Sequence, residues 1–136
     1  MAERGVPPAA EELLTERLEM AHVATSHGGR PHAAPVWYHY EDETVEFVTG
    51  GRKLTNIREN PRVALSVEHS ENGRGQWHVV LFGTAEVVTD EEELWAGRTR
   101  LFRRYRDREP TLEEDGEPPE ALVRVDVGST TYSGPG

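Results

Sequence analysis

Cysteine is absent from the 136 residues, which removes disulfides, thiolate metal sites and cysteine nucleophiles from consideration. Lysine is almost absent: Lys53 stands alone against fourteen arginines. No stretch approaches the roughly 20 apolar residues of a membrane span. The first nineteen residues are charged and contain prolines, which is not the pattern of a secretory signal, so a cytoplasmic protein with no membrane segment is expected. Positive charge as a whole is scarce: 15 basic residues face 25 acidic ones, for a net charge of −10. That field repels nucleic acid, so no RNA or DNA partner is expected, and an anionic ligand must be met by local cations. A lysine-poor, carboxylate-rich composition is halophilic in character, because carboxylates stay hydrated where counterions are abundant. The arginine-favouring codons of a GC-rich genome give the same lysine depletion. The length suits a single domain, 1–136, large enough to bury a core and small enough to gain from pairing with a second copy.

Periodicity then orders the chain. Within 1–19, Pro7-Pro8 opens a short amphipathic helix with Leu13, Leu14 and Leu18 on one face. Strands are expected at 20–26 and 31–40, joined by the turn His27-Gly28-Gly29-Arg30, and at 44–49, where Val45, Phe47 and Thr49 alternate with polar positions. Gly50-Gly51 breaks that strand, and a helix follows over 52–60 until Pro61. Val63, Leu65 and Val67 mark a half-buried strand over 62–69, a glycine-rich loop covers 70–75, and a long strand runs over 76–89 with Gly83 as its bulge or bend. Asp90 and Glu93 form a capping pair for a helix reaching about Tyr105. An acidic, mobile loop is expected over 106–119, a last strand over 121–127 and a tail from Ser133. The fold class is therefore mainly β (β+α): about six strands with short flanking helices, arranged as an antiparallel barrel.

The chemistry concentrates at Phe47-Val48-Thr49-Gly50-Gly51-Arg52-Lys53. A helix N-terminus carries partial positive charge, so Arg52 and Lys53 stand at the end where cations are disfavoured. A bound anion would reverse the sign, drawing in free N–H groups, both cations and the Thr49 hydroxyl. The alternative is that both side chains simply extend into solvent. Arg98 stands one turn after Leu94 on an apolar helix face and needs a buried partner. Six arginines against Asp107 give 98–108 a net charge of +5 and leave −15 on the rest. That run reads as a solvated face paired with the acidic loop, or as a cradle for a polyanionic tail. The histidines lack metal-ligand spacing, so no metal is expected, and the serines lack the context of a hydrolase nucleophile.

The order of these pieces resembles the pyridoxamine 5′-phosphate oxidase-like, flavin-binding split-barrel superfamily. The likeness lies in Ala24-Thr25…Gly29-Arg30-Pro31-His32…Pro35-Val36-Trp37, in Phe47-Val48-Thr49…Arg52-Lys53-Leu54…Ile57…Asn60-Pro61-Arg62-Val63-Ala64-Leu65, and in Val79-Val80-Leu81-Phe82-Gly83-Thr84-Ala85-Glu86. It implies a six-stranded antiparallel split β-barrel that forms a homodimer, with FMN or the deazaflavin F420 in a groove between subunits. Pro35, Val36 and Trp37 would lie along the flavin ring, with Val48, Thr49, Arg52 and Lys53 at the phosphate. Trp77-His78 stands where the oxidases place a glutamine, so these two join the candidate ring contacts. The implied activity is that of an oxidoreductase whose flavin does the chemistry, with no catalytic side chain or substrate identified. A flavin carrier, or a haem-binding relative with His78 as axial ligand, is the alternative. The Arg-x-His substrate motif of the oxidases themselves is missing, since 121–136 contains no histidine, so vitamin B6 oxidation is not expected.

Overall fold

Alternation of apolar and polar side chains resolves into a strand wherever it persists. The computed structural model describes residues 3–134, so the parts of the expected N-terminal segment and C-terminal tail at 1–2 and 135–136 lie outside the described residues. In chain order the elements are β1 (Glu3–Arg4), α1 (Pro8–Glu16), β2 (Ala21–His27), β3 (Arg30–Val36), β4 (His39–Glu41), β5 (Thr44–Thr49), α2 (Gly51–Glu59), β6 (Arg62–Glu71), β7 (Arg74–Val88), α3 (Glu91–Arg106), α4 (Leu112–Asp115) and β8 (Ala121–Ser133). Every pairing is antiparallel, in the order β3-β2-β6-β7-β8-β5-β4, with β1 set against β8. The edge strands β3 and β4 each pair on one side only, so the sheet is open between them. The class is the expected mainly β arrangement with short helices, but seven strands rather than six make the continuous path.

The extra strand comes from a break at Trp37-Tyr38, where one continuous strand was expected over 31–40. Tyr38 is fully buried; its hydroxyl donates to the Leu14 carbonyl at 3.0 Å, and its N–H donates to the Tyr105 hydroxyl at 3.3 Å. Those partners sit in the helices, so the backbone leaves the ladder to reach them. Helix α1 ends at Glu16, short of the expected Glu19, because Arg17 is extended and the Arg104 guanidinium takes the carbonyls of Leu14, Thr15 and Arg17. Leu18, read as part of its apolar face, is thereby left exposed. The last strand continues to Ser133, six residues past its expected end, since β7 offers it a partner as far as His78. The acidic segment is a further correction. It contains α4, and Arg98 and Arg108 hold it in place, as described below.

One face of the sheet forms the core, with Val23, Leu65, Val67, Leu81, Phe47, Val123 and Val125 almost inaccessible. The other face is covered unevenly. Helix α3, capped by Asp90, whose carboxylate accepts from the Glu93 N–H at 3.0 Å, contributes Leu94 to a cluster with Val88, Leu122 and Val48 over the β5–β8 half. Over β3, β2, β6 and β7 the register aligns Ala33, Ala24, Ala64 and Phe82 in one row, and Phe82 is 42% exposed. This row is apolar and uncovered by the chain's own helices, with the polar His22, Ser66, Glu68 and His78 on the same face beyond it.

The sequence marked Gly83 as a bulge or bend, and the β7–β8 register shifts between Phe82 and Gly83. A Cβ there would lie 2.4 Å from the Asp126 carbonyl oxygen and 2.8 Å from Val125 Cγ1. Backbone cannot yield as a flexible side chain does, so Gly83→Ala is expected to destabilise by ~1–3 kcal/mol. Urea unfolding checks this as a lower midpoint at unchanged m value. An unaltered midpoint would show that the bulge slides along β8 to admit the methyl group.

Candidate functional site

Strand β5 delivers its C-terminal end directly to α2. Gly50 is the extended N-cap with no side-chain cap, and Gly51 follows at φ +63°, a conformation that favours glycine. No acidic residue stands in the first turn, which instead carries Arg52 and Lys53. The free N–H groups of this turn lack both capping devices used at α3 and α4. Thr49 is buried and its hydroxyl donates to the Gly50 carbonyl at 3.3 Å, so in this state it does not join Arg52.

Two adjoining clefts open beside α2. The first, about 450 Å³, is lined by Arg52, Arg30, His27 and His32, with Thr55 and Asn56 on the helix side. The second, about 540 Å³, lies over the bare sheet face between Arg62 and Phe82, with Ala24, Ala64 and Gly83 in its floor. Pro31 lines both. The seam between α2 and β2 is fixed by Asn56 Nδ2 donating to Thr25 Oγ1 at 3.1 Å and Asn60 Nδ2 donating to Ser26 Oγ at 3.2 Å. Among the described residues no aspartate or glutamate lines either cleft, and none of the three guanidiniums has a carboxylate partner. His32 Nδ1 is buried without a hydrogen-bond partner. A polar atom withdrawn from water and left unpaired costs ~1–3 kcal/mol, which a ligand atom in the cleft would relieve.

A family model described as pyridoxamine 5′-phosphate oxidase matches residues 8–133. The chain belongs to the pyridoxamine 5′-phosphate oxidase family. Among solved structures, an F420 reductase is 30% identical at a TM-score of 0.65, with 90% of this chain and 94% of that one covered. A conserved hypothetical protein from Mycobacterium tuberculosis gives 21% identity, a TM-score of 0.77 and coverage of 95% and 85%. A FAD-binding protein from Mesorhizobium loti gives 21%, 0.69, 98% and 99%. No curated protein matches the chain.

The residues singled out from the sequence do not all meet within this family fold. Arg52 lines the first cleft; Lys53 is half-buried beside it, outside the lining. Pro35 and His78 stand exposed on the same bare face as Phe82. Val36 and Trp77 face the other way into the core, Trp77 being only 5% exposed, and Val48 lies under α3. Trp37, expected along a ring, stacks on Tyr105 at 5.0 Å, meets Phe102 edge-on at 5.4 Å and lies 4.8 Å from the Arg106 guanidinium. Sequence reasoning assigned no role to His27, Arg30, His32, Asn56 or Arg62. The Gly28-Gly29 turn was the available signal, since it pairs His27 with Arg30 and brings His32 opposite Thr25.

The arginine run is internal support. Arg98, 5% exposed, donates to the Asp115 and Gly116 carbonyls at 2.8 and 2.9 Å, which gives the buried guanidinium the partners its position demanded. Arg108 grips both Asp115 oxygens at 2.8 Å, and its hydrogen bonds hold that carboxyl well below the usual carboxylate range. Arg103 pairs with Glu109, and Arg100 pairs with the buried Glu46. Among the described residues no group of three or more His, Asp or Glu side chains could hold a metal ion, and no helix is long and apolar enough to cross a membrane.

His39 lies 3.6 Å from the Glu46 carboxylate, yet burial holds its pKa below 6.5 against that attraction, with Arg100 reinforcing the shift. A histidine depressed in the folded state takes up its proton later than in the unfolded chain. Its contribution is therefore complete above about 6.5 and lost as the pH falls below that value. His39→Gln is expected to make stability fall less between pH 7 and pH 5 than in the wild type, as read from urea midpoints. Parallel falls would show that His39 titrates alike in both states.

Proposed function

We propose that this chain binds a phosphate-bearing flavin, FMN or the deazaflavin F420, in the groove formed by the two clefts and acts as an oxidoreductase on a small molecule. The observation that carries the reading is the acid-free lining of the two clefts. In a chain of net charge −10, Arg30, Arg52 and Arg62 have no carboxylate partner among the described residues, and the nearby Glu120 carboxyl lies beside Gly50 rather than in the lining. Arg52, Lys53 and the uncapped N–H groups of α2 would hold the phosphate, and His32 Nδ1 would gain a partner. Ala24 and Ala64 offer a flat, small-residue floor for a planar ring, beside Phe82. The flavin, when bound, supplies the hydride or electron transfer; the chain's own residues bind it, orient it and limit its contact with water. The relatives named an F420 reductase and a FAD-binding protein support a flavin-type ligand. The missing Arg-x-His motif argues against pyridoxamine phosphate as substrate.

We also propose that a second copy covers the bare half of the sheet, pairing about a two-fold axis and closing the groove. Pro35 and His78, exposed on that face, would then stand at the interface rather than in solvent. Trp77 is already buried within its own chain and contributes little to such a contact.

Charge-assisted hydrogen bonds contribute ~1.5–3 kcal/mol each. Arg52→Ala is therefore expected to weaken FMN and F420 binding by roughly ten- to a hundred-fold. Lys53→Ala should act in the same direction, and riboflavin, which lacks the phosphate, should bind all three proteins alike. Equilibrium titration checks each affinity, and light scattering at the same salt should report twice the chain mass. Undiminished FMN affinity in Arg52→Ala would move the phosphate elsewhere. A monomer that still binds flavin would remove the shared groove and keep the cofactor.

A further inference from the structure

A second groove lies between α3 and α4, away from the clefts described above. It measures about 470 Å³; its walls are Leu94, Trp95, Leu112 and the Pro118-Pro119 pair, and its charged groups are Glu91 and Glu117. Leu112 is 59% exposed and Trp95 36%. These apolar side chains are held open by construction rather than by fraying. Arg98 fastens the carbonyls of Asp115 and Gly116, Arg108 fastens the Asp115 carboxylate, and two consecutive prolines stiffen the strand side. Among the described residues neither Glu91 nor Glu117 has an ion-pair partner; Arg108 is held by α4, and Arg98, also held by α4, lies 5.6 Å over the Trp95 ring.

We propose that this groove binds a ligand carrying an ammonium group on an apolar body. The apolar walls would take the body, and the two carboxylates, set away from the Arg98 guanidinium over the indole, would take the charge. An anionic ligand is repelled by Glu91 and Glu117, and a neutral apolar one would dehydrate both carboxylates with nothing in return. Glu91 has a second reason for its place, since it stands in the first turn of α3 where negative charge is favoured. Glu117 lies outside any helix, so no such reason applies to it. The acid-free groove beside α2 shows that this acidic chain can keep carboxylates out of a cleft, which makes their presence here informative.

The probe is phenethylamine, cationic at neutral pH, titrated against tryptophan fluorescence at fixed ionic strength, with 2-phenylethanol as the neutral comparison. A saturable response to the amine is expected, with 2-phenylethanol at least about tenfold weaker. Glu91→Gln/Glu117→Gln should weaken the amine by about tenfold, and Leu112→Ser, at an exposed position that should leave the fold intact, should weaken both probes. Trp95→Phe should abolish the signal while circular dichroism stays unchanged, because Trp77 is buried and Trp37 is packed on Tyr105. Equal affinity for amine and alcohol, undiminished amine binding by the double glutamine variant, or no saturable response up to about 10 mM, where even a millimolar site would fill, would each overturn the proposal.

Discussion

Strand β8 pairs along both of its edges, with β7 from His78↔Ser133 to Val88↔Leu122 and with β5 from Thr44↔Asp126 to Thr49↔Ala121. Without it the sheet is two separate pieces, one holding β3, β2, β6 and β7, the other β5 and β4. Its register decides where the functional surfaces fall. Pairing Ala121 with Thr49 brings Glu120 beside the Gly50 turn, where a Cβ on Gly50 would lie 3.3 Å from the Glu120 carboxyl carbon. The shift at Gly83 sets the direction of β7 next to Phe82, in the floor region of the second cleft.

The distribution of positive charge follows a division of labour along the chain. Every arginine from Arg98 onward is engaged by a carbonyl, a carboxylate or an aromatic ring. These side chains dock α3, hold α4 and close the end of α1. Guanidinium suits the work better than ammonium would, because its planar fork donates to two acceptors at once and also stacks on rings. Arginines of the first half, by contrast, include the three that face the clefts without partners. Three guanidiniums converging on adjoining clefts with no carboxylate in their lining give an acidic protein a local field that attracts anions there.

Much of this was legible in the residues. Alternation gave the strands, Gly83 gave the bulge, Asp90 gave the start of α3, and an arginine on an apolar helix face announced a buried partner. Of the unfavourable pair of cations at the start of α2, Arg52 lines a cleft and Lys53 stands beside it. What could not be read was which side of a strand faces inward when both parities carry large side chains. Trp37 and Trp77 look like ring-stacking residues in sequence, but a large apolar surface is equally well placed in a core or against a helix, and tertiary packing made that choice. The break at Trp37-Tyr38 depends on partners far away in sequence, Leu14 and Tyr105, which no local pattern encodes. Helix α4 does have a local signal, Thr111 followed by Glu114 as a capping pattern, which the loop expected over 106–119 leaves out. The clefts themselves are assembled from β2, β3, α2, β6 and β7, so only their charges were visible beforehand.

Arg104 reaches back 87 to 90 residues to take the last carbonyls of α1. The first helix of the chain thus waits for the third to be made before its C-terminal end is satisfied, and the central strand is made later still. A nascent chain must emerge from the ribosome with Leu13 and Leu14 exposed and with no complete sheet to receive them. The sheet can close up only once the residues of β8 have been made, and until then the apolar side chains of the early segments have no core to enter.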